Sequence, residues 1–543
     1  MINAIYKFSR PENEPVKSYA PGTKERKELR EKLEELKNQK LDIPLIIGGK
    51  EIRTGNTGKV VMPHNHGHVL ATYHKAGPEE VKAAVEAALE ARKKWSEMPW
   101  IERASINLKI AELLATKYRS LINAATMLGQ SKNPFQAEID AACETIDFLR
   151  FNVYYASQIY ADQPSNSPGV INRMEYRPLE GFIFALSPFN FTSIASNLSM
   201  APVLMGNTVV WKPATTSILS NYYLMKIYEE AGLPEGVINF IPGQGSVIGK
   251  EIFSHPDFGG VHFTGSTSTF KHFWKTIGSN IGKYKAYPRI VGETGGKDFI
   301  FVHKSADAKQ VATAITRGAF EYQGQKCSAA SRAYIPESLW NDIFNFVKND
   351  IEDFTVGDTD DFGNFMNAVI DESAFDSIMS FINEAKNSDK AEILIGGNGD
   401  KSKGYFIEPT VIKVTDPHFV TMEEEIFGPV ITIYVYDDDK YEETLKLCDE
   451  TSPYALTGAI FSKDREALLK GYEMLRNSAG NFYLNDKPTG AVVDQQPFGG
   501  ARASGTNDKA GSYLNLIRWT NPRTVKETLV PPVDYRYPFL EKE

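Results

Sequence analysis

Cys327 sits in Glu321-Tyr322-Gln323-Gly324-Gln325-Lys326-Cys327-Ser328, and a second polar glycine cluster, Glu293-Thr294-Gly295-Gly296-Lys297, lies a short way upstream. A thiol is a useful nucleophile only as the thiolate. The flanking glycine, amides and Lys326 offer backbone dipoles and a cation that lower a thiol pKa, so the sequence predicts an activated Cys327. Glycines around Glu293 let the backbone approach a ligand, and a carboxylate there can activate water once the thiol has been acylated. The pair predicts covalent catalysis through a thioester. Taken singly, a lone cysteine is usually an inert core residue, Glu293 a helix cap and Asn190 a turn residue.

The elements that must position these groups follow from periodicity. Short β-rich runs fall at 182–185, 208–211, 237–241 and 260–264, separated by helical stretches such as 218–231. This alternation predicts a parallel, doubly wound sheet with crossover helices. A second alternating block has strands expected near 299–302, 333–335, 431–436, 457–461 and 481–484, with helices near 307–322, 337–351 and 465–477. Glu293 falls at the join, which places the reaction in a cleft between two α/β domains. Residues 78–156 are helix-rich, and 24–40 predict a charged helix whose Leu29, Leu33 and Leu36 dock on its own subunit.

Composition bounds the function classes. The chain has 543 residues, 42% hydrophobic and 24% charged, enough for two or three domains with substantial cores. A net charge of −9 without a basic patch argues against nucleic acid or an anionic membrane and leaves a small molecule as the expected partner. Three cysteines build no disulfide framework; Cys143 and Cys448 lie in helix-like runs and are expected as small buried hydrophobes. That usage predicts a reducing compartment, the cytoplasm, or the mitochondrial matrix for a processed eukaryotic chain. No apolar run reaches the ~18 residues of a bilayer span. Residues 1–13 lack the apolar core of a secretory signal, and the acidic residues after them argue against a transit peptide.

The two glycine clusters, Ser187-Pro188-Phe189-Asn190-Phe191, Trp211-Lys212-Pro213, Phe263-Thr264-Gly265-Ser266 and Glu425-Ile426-Phe427-Gly428-Pro429-Val430 resemble, in order, the motifs of the aldehyde dehydrogenase superfamily from about residue 45 to 510. Phe189-Asn190-Phe191-Thr192, Gly324-Gln325-Lys326-Cys327-Ser328 and the stretch from Gln495 to Asp508 are similar to its 1-pyrroline-5-carboxylate dehydrogenase branch, which oxidises glutamate semialdehyde to glutamate. The resemblance implies a Rossmann-type NAD-binding domain over 1–154 and 176–292, a catalytic domain over 293–517, and a β-rich oligomerisation arm over 155–175 and 518–543. From the sequence alone the arm reads as loop. It also implies a homodimer or an assembly of dimers.

Site roles follow residue by residue. Cys327 is implied as nucleophile and Glu293 as base, with Asn190 and the Cys327 backbone N–H holding an oxyanion. Ser187, Phe189, Gly265, Ser266, Thr267, Ser268 and Thr269 are placed around the cofactor. Lys212 is implied on the adenine ribose, Glu425 on the nicotinamide ribose and Phe427 beside the nicotinamide. The strand and helix around Gly265 and Ser266 also offer a pyrophosphate site by geometry, although Phe270 stands where many relatives carry another glycine. Thr215 stands where an acidic residue would repel a 2′-phosphate. Phe191, Lys326, Ser328, Gly490, Ala491 and Phe498 are implied on the substrate. Duller roles exist for Lys212 as a solvated strand end, Ser328 as a turn cap and Phe498 as loop packing.

His64-Asn65-His66-Gly67-His68 has metal-ligand alternation. The preceding proline and internal glycine suggest a turn instead, no further ligand completes a shell, and the chemistry calls for no metal. A broader-specificity aldehyde dehydrogenase, a thioester-forming hydrolase using the same cysteine and glutamate, and an inactive relative that keeps only the fold are the competing functions. The hydrolase has no use for the cofactor residues, and the inactive relative would have lost Cys327 or Glu293.

Overall fold

The strand and helix alternation builds two seven-stranded sheets in the computed structural model, which describes residues 6–542. Residues 1–5, the start of the segment assessed for a signal, and residue 543 of the arm lie outside the described residues. The first sheet runs Arg289–Glu293, Phe258–Thr264, Phe182–Leu186, Val209–Lys212, Ile238–Phe240, Leu45–Ile47, Lys50–Ile52. Its first five strands are parallel, and the last two add antiparallel. Alternate residues feed opposite faces: Ile183, Ala185, Val209 and Trp211 pack on one side, Phe182, Phe184 and Val210 on the other. All seven residues of Phe258–Thr264 are buried, as a parallel strand covered on both faces must be.

The second sheet runs Ala391–Ile395, Thr410–Val414, Val430–Tyr436, Ala330–Pro336, Asp298–Val302, Thr457–Phe461, Asn481–Leu484. Only Ala391–Ile395 joins antiparallel. Phe299 and Phe301 point into one core, Ile300 and Val302 into another. The strands expected from the sequence are present within a few residues. Those it did not predict are edge or near-edge strands, among them Lys50–Ile52, Arg289–Glu293 and Ala391–Ile395, where one face or one side is open and the apolar signal is short.

Glu293 ends the outermost strand of the first sheet and Asp298 opens a strand of the second, so four residues connect the two. A division at 292/293 therefore runs through the last residue of a strand. Likewise the helix Thr145–Ala161 continues past 154, so residues 155–161 are helical. Within the arm read as loop, Val170–Pro178 and Thr520–Thr528 form an antiparallel ribbon from Thr520↔Pro178 to Thr528↔Val170. Charged residues such as Arg173, Glu175, Lys526 and Glu527 on a solvated ribbon erase the apolar alternation that would have revealed it.

The helix-rich region resolves into Pro78–Trp95, Trp100–Ala115, Arg119–Gln130, Pro134–Ala137 and Thr145–Ala161, with a π-helical turn at Glu138–Glu144. Asn133 starts the fourth of these, its side chain accepting from the Gln136 N–H at 2.8 Å, with proline at the first helical position. The opening helix is Lys24–Asn38, and it packs on Arg119–Gln130 of its own chain. Cys143 and Cys448 are buried in helical turns.

The three clustered histidines diverge. Proline and His64 form the turn, and a strand starts at Asn65. His64 bonds the Ser131 hydroxyl at 3.2 Å, His66 the Lys401 carbonyl at 3.0 Å and His68 the Lys37 carbonyl at 2.9 Å.

Leu29 is fully buried against the helix it docks on. Leu29→Ala is expected to cost about 2–5 kcal/mol through the cavity it leaves, measured as a lower urea midpoint; an unchanged midpoint would show that the helix does not dock.

Candidate active site

Cys327 is presented by an unusual backbone. Tyr322, Gln323 and Gly324 all have positive φ, at 52°, 54° and 66°. Two non-glycine residues in the left-handed region cost roughly 1–3 kcal/mol each and persist only where the surroundings over-determine them. Here they are over-determined. The Gln323 side chain donates to the Ser131 and Ala368 carbonyls at 2.9 and 2.8 Å and accepts from the Asn367 N–H at 3.0 Å. Gln325 accepts from the Ile370 N–H at 2.9 Å. At Gly324 any Cβ would stand 2.1 Å from the Gly428 carbonyl oxygen.

The electrostatics correct one expectation. The Lys326 ammonium is engaged elsewhere, donating to the Glu321 carboxylate at 3.1 Å in a nearly buried ion pair. Burial pushes the Cys327 thiol well above its ordinary range, and the carboxylates of Asp298, Glu425 and Glu293 push it the same way. Its own backbone N–H pulls the other way. The resting nucleophile is a protonated thiol.

Asn190 and Phe191 reach this loop from the other sheet. The Asn190 amide donates to the Gln325 carbonyl at 3.0 Å, which uses one of its two N–H hydrogens. The helix that follows, Thr192–Leu204, has no local side-chain cap. Asp140 caps it from the π-helical turn, accepting from the N–H groups of Thr192 and Ser193 at 3.1 and 2.9 Å and from the Ser193 hydroxyl at 2.8 Å. The same carboxylate accepts from Lys132 at 2.7 Å, and the Lys132 ammonium lies 4.1 Å from the Phe191 ring centroid and 4.4 Å from that of Tyr322.

Glu293 pairs with Thr264 on the neighbouring strand, and its carboxylate accepts from the Gly500 N–H at 2.9 Å. Burial raises its pKa well above the ordinary carboxylate range. The loop holding it is tied to the glycine cluster, because Thr294 donates through its N–H to the Ser504 carbonyl at 2.8 Å and through its hydroxyl to Ala503 at 2.6 Å. Lys509 braces the same loop on the carbonyls of Gly480 and Gly499 at 2.7 and 3.1 Å.

On the opposite side lie groups that could hold a nucleotide. Lys212 ends its strand with its pKa lowered to about 8 by burial alone, so no carboxylate claims it. Ser266 caps the helix Thr267–Ser279, its hydroxyl accepting from the Thr269 N–H at 3.3 Å and sharing hydrogen bonds with the hydroxyls of Ser268 and Thr269. Thr267 instead turns toward Ala503 and the Gly295 N–H, both at 3.4 Å. A Cβ on Gly265 would stand 2.6 Å from the Phe263 ring, and Phe270 fills the core by stacking on that ring at 5.6 Å. The Ser187 hydroxyl accepts from the Trp211 indole N–H at 3.1 Å, which makes it a brace between strands. Glu425, raised to about 7 by burial, accepts from the Gly296 N–H at 3.0 Å. Phe427 is another left-handed residue, φ 57°, set edge-on to Phe189 at 5.7 Å. Phe189, Glu425 and Phe427 line one cavity of about 340 Å³.

The residues expected on a substrate divide. The Ser328 hydroxyl shares a hydrogen bond of 2.9 Å with that of Thr489, which joins the nucleophile loop to Gly490 and Ala491. Gly490 has φ 91°, a turn that opens its backbone. Phe498 is fixed through its backbone to Ala510 at 2.9 and 2.8 Å. Lys326 is diverted as described. Sequence reasoning missed Lys132, Asp140, Gln323 and Lys509, each of which acts on a distant partner and leaves no local pattern.

Two α/β sheets meeting at a thiol, a buried glutamate and a nucleotide-sized set of donors define a class of protein. The chain belongs to the aldehyde dehydrogenase family, whose sequence profile matches residues 52–525. It is 55% identical over 533 residues to the mitochondrial delta-1-pyrroline-5-carboxylate dehydrogenase of Dictyostelium discoideum, covering 98% of this chain and 96% of that one. The human mitochondrial protein of the same name is 48% identical over 530 residues, covering 97% and 94%. The crystal structure of the Mycobacterium tuberculosis Delta-pyrroline-5-carboxylate dehydrogenase bound with NAD superposes with a TM-score of 0.96 at 49% identity, covering all of both chains.

Because burial and three carboxylates hold Cys327 protonated, its alkylation by iodoacetamide in the ligand-free enzyme should follow a titration lying above the ~8.5 of a free thiol. A midpoint at or below that value would contradict the electrostatic picture.

Proposed function

We propose that the chain oxidises L-glutamate γ-semialdehyde, in equilibrium with 1-pyrroline-5-carboxylate, to L-glutamate with NAD, the second step of proline degradation. The observation that carries this is the Ser328–Thr489 hydrogen bond, which ties the nucleophile to a turn of free backbone N–H groups at Gly490 and Ala491. Such a turn suits a carboxylate at the far end of a short aldehyde, with Phe191 and Phe498 as apolar walls. The names of the relatives point to the same substrate.

NAD fits the unclaimed Lys212 ammonium, the helix start at Ser266 and the Phe189–Glu425–Phe427 cavity. Lys212 would hold the adenine ribose, Gly265 and Ser266 to Thr269 the pyrophosphate, Glu425 the nicotinamide ribose, and Phe427 one face of the nicotinamide, with Ser187 bracing the strands beneath. When bound, NAD supplies the hydride acceptor.

The chain's own residues do the rest. The Cys327 thiol gives up its proton to solvent, its sulfur bonds to the aldehyde carbon, and the resulting oxyanion is held by the Cys327 N–H and the second N–H of Asn190. Loss of hydride leaves a thioester. Glu293 takes a proton from water; the water oxygen attacks the thioester, the C–S bond breaks with return of the Cys327 thiolate, and glutamate leaves.

The first sheet with its helices, residues 1–154 and 176–292, would be the NAD-binding domain, and 293–517 the catalytic domain. The arm, residues 155–175 and 518–543, would join two copies, a role suited by its exposed Leu529, Val530, Val533 and Tyr535 beyond the ribbon. The mitochondrial names of eukaryotic relatives suit the matrix if this chain is eukaryotic.

Steady-state kinetics test the substrate: kcat/KM for glutamate semialdehyde should exceed that for hexanal by at least 10-fold, since an aldehyde without a carboxylate forgoes charge-assisted hydrogen bonds to the Gly490 and Ala491 N–H groups worth about 1.5–3 kcal/mol. Equal values would sink the assignment. Glu293→Gln should turn over slowly and release a pre-steady-state burst of NADH; unchanged steady-state turnover would remove Glu293 as the deacylation base.

A further inference from the structure

Residues 6–20 form no regular element, yet they are fastened along their length to the substrate side of the molecule. The Asn13 amide donates to the Val493 carbonyl at 3.0 Å and to Asp147 at 2.8 Å, while its carbonyl accepts from Gln495 at 2.9 Å. Every strong group of that side chain is used, and two of the three bonds fall on the segment just after Gly490 and Ala491. Arg10 adds a forked ion pair to Asp494 at 2.7 and 3.0 Å, and the Tyr155 hydroxyl donates to the same carboxylate. Asp494 has φ 74°, a strained position for a side chain that needs outside support. Further along, the Glu14 N–H donates to Asp147 at 2.7 Å, and the Lys17 N–H and Tyr19 hydroxyl donate to Glu138 at 2.9 and 2.7 Å. Glu138 opens the π-helical turn that carries Asp140.

We infer that residues 10–19 are a strap that orders the loop 488–496, with Asn13 as its main positioning residue, so that the N-terminus governs recognition of the substrate's carboxylate. The inference rests on the proposed role of Gly490 and Ala491. The fastening is polar: Asn13 and Arg10 bind by hydrogen bonds and charge, and the apolar contact beneath the loop, Val493 on Phe148 and Phe151, does not involve them. Loss of either side chain therefore loosens the loop while the cores stay filled. Cys327, Glu293 and the NAD side lie outside the strap's contacts.

The test measures amide hydrogen exchange over 488–496 in the full-length enzyme, together with kcat and KM for glutamate semialdehyde and hexanal and the Kd for NAD. Asn13→Ala is the main variant, and Arg10→Ala, at an exposed residue, is the second should the first fold poorly. Exchange over 488–496 should quicken and KM for glutamate semialdehyde rise about 10-fold, with kcat, hexanal KM and NAD Kd within about 2-fold, the loss of one hydrogen-bonded tether. Unchanged exchange in both variants overturns the strap, as does a rise in hexanal KM equal to that for glutamate semialdehyde. Faster exchange with both KM values unchanged upholds the tether and overturns instead the carboxylate role of Gly490 and Ala491.

Discussion

Asp140 is the group on which the catalytic geometry converges. Its carboxylate takes Lys132, two backbone N–H groups and the Ser193 hydroxyl, and so joins the helix-rich layer to the start of Thr192–Leu204 and hence to Asn190 and Phe191. Through Lys132 it also reaches Tyr322, the first of the left-handed residues before the nucleophile. Both charges are fully buried. A buried pair of this kind adds little net stability while both members are present, but removing one strands the other at about 3–5 kcal/mol. Its value is geometric: loops from different sheets are referenced to one point. The π-helical turn belongs to the same constraint, since its wider winding shifts the register of Asp140 and Glu144 relative to an α-helix, and such turns often mark functional sites.

The sequence made the parallel strands and crossover helices legible because period-2 and period-3.6 patterns record burial on both faces. The helix at 218–231 and the strands at 457–461 and 481–484 are found where periodicity put them. Positions 170–178 and 520–528 are illegible in the sequence because the ribbon is largely solvated and few apolar residues mark its half-buried positions. The chemical residues could be located by motif, while their surroundings could not. Lys326 beside the nucleophile suggested activation by a cation, but five residues away Glu321 offers a closer partner and takes the charge. Similarly, Ser187 and Thr267 lie among the cofactor residues yet spend their hydroxyls on protein partners. Adjacency in sequence fixes where a side chain starts, and competition among partners decides where it ends.

A nucleophile held protonated has a logic of its own. Asp298, Glu425 and Glu293 all press the Cys327 thiol toward its neutral form, and Glu293 and Glu425 are themselves raised by burial. Any cation brought near the carboxylates shifts all of these equilibria together, so reactivity is coupled to occupancy of the neighbouring cavity.

The pairing of Thr520–Thr528 with Val170–Pro178, the contact of Glu293 with Gly500 and the hold of Asn13 on Val493 span sequence separations of about 350, 207 and 480 residues. During synthesis the first sheet can collapse on its own strands, but the walls of the catalytic cleft cannot close until nearly the whole polypeptide has left the ribosome. An emerging chain thus carries its thiol on a loop whose final supports are still missing. Late truncations would consequently remove activity long before they removed the bulk of the folded structure, and assembly of the site would be the last and slowest event in maturation.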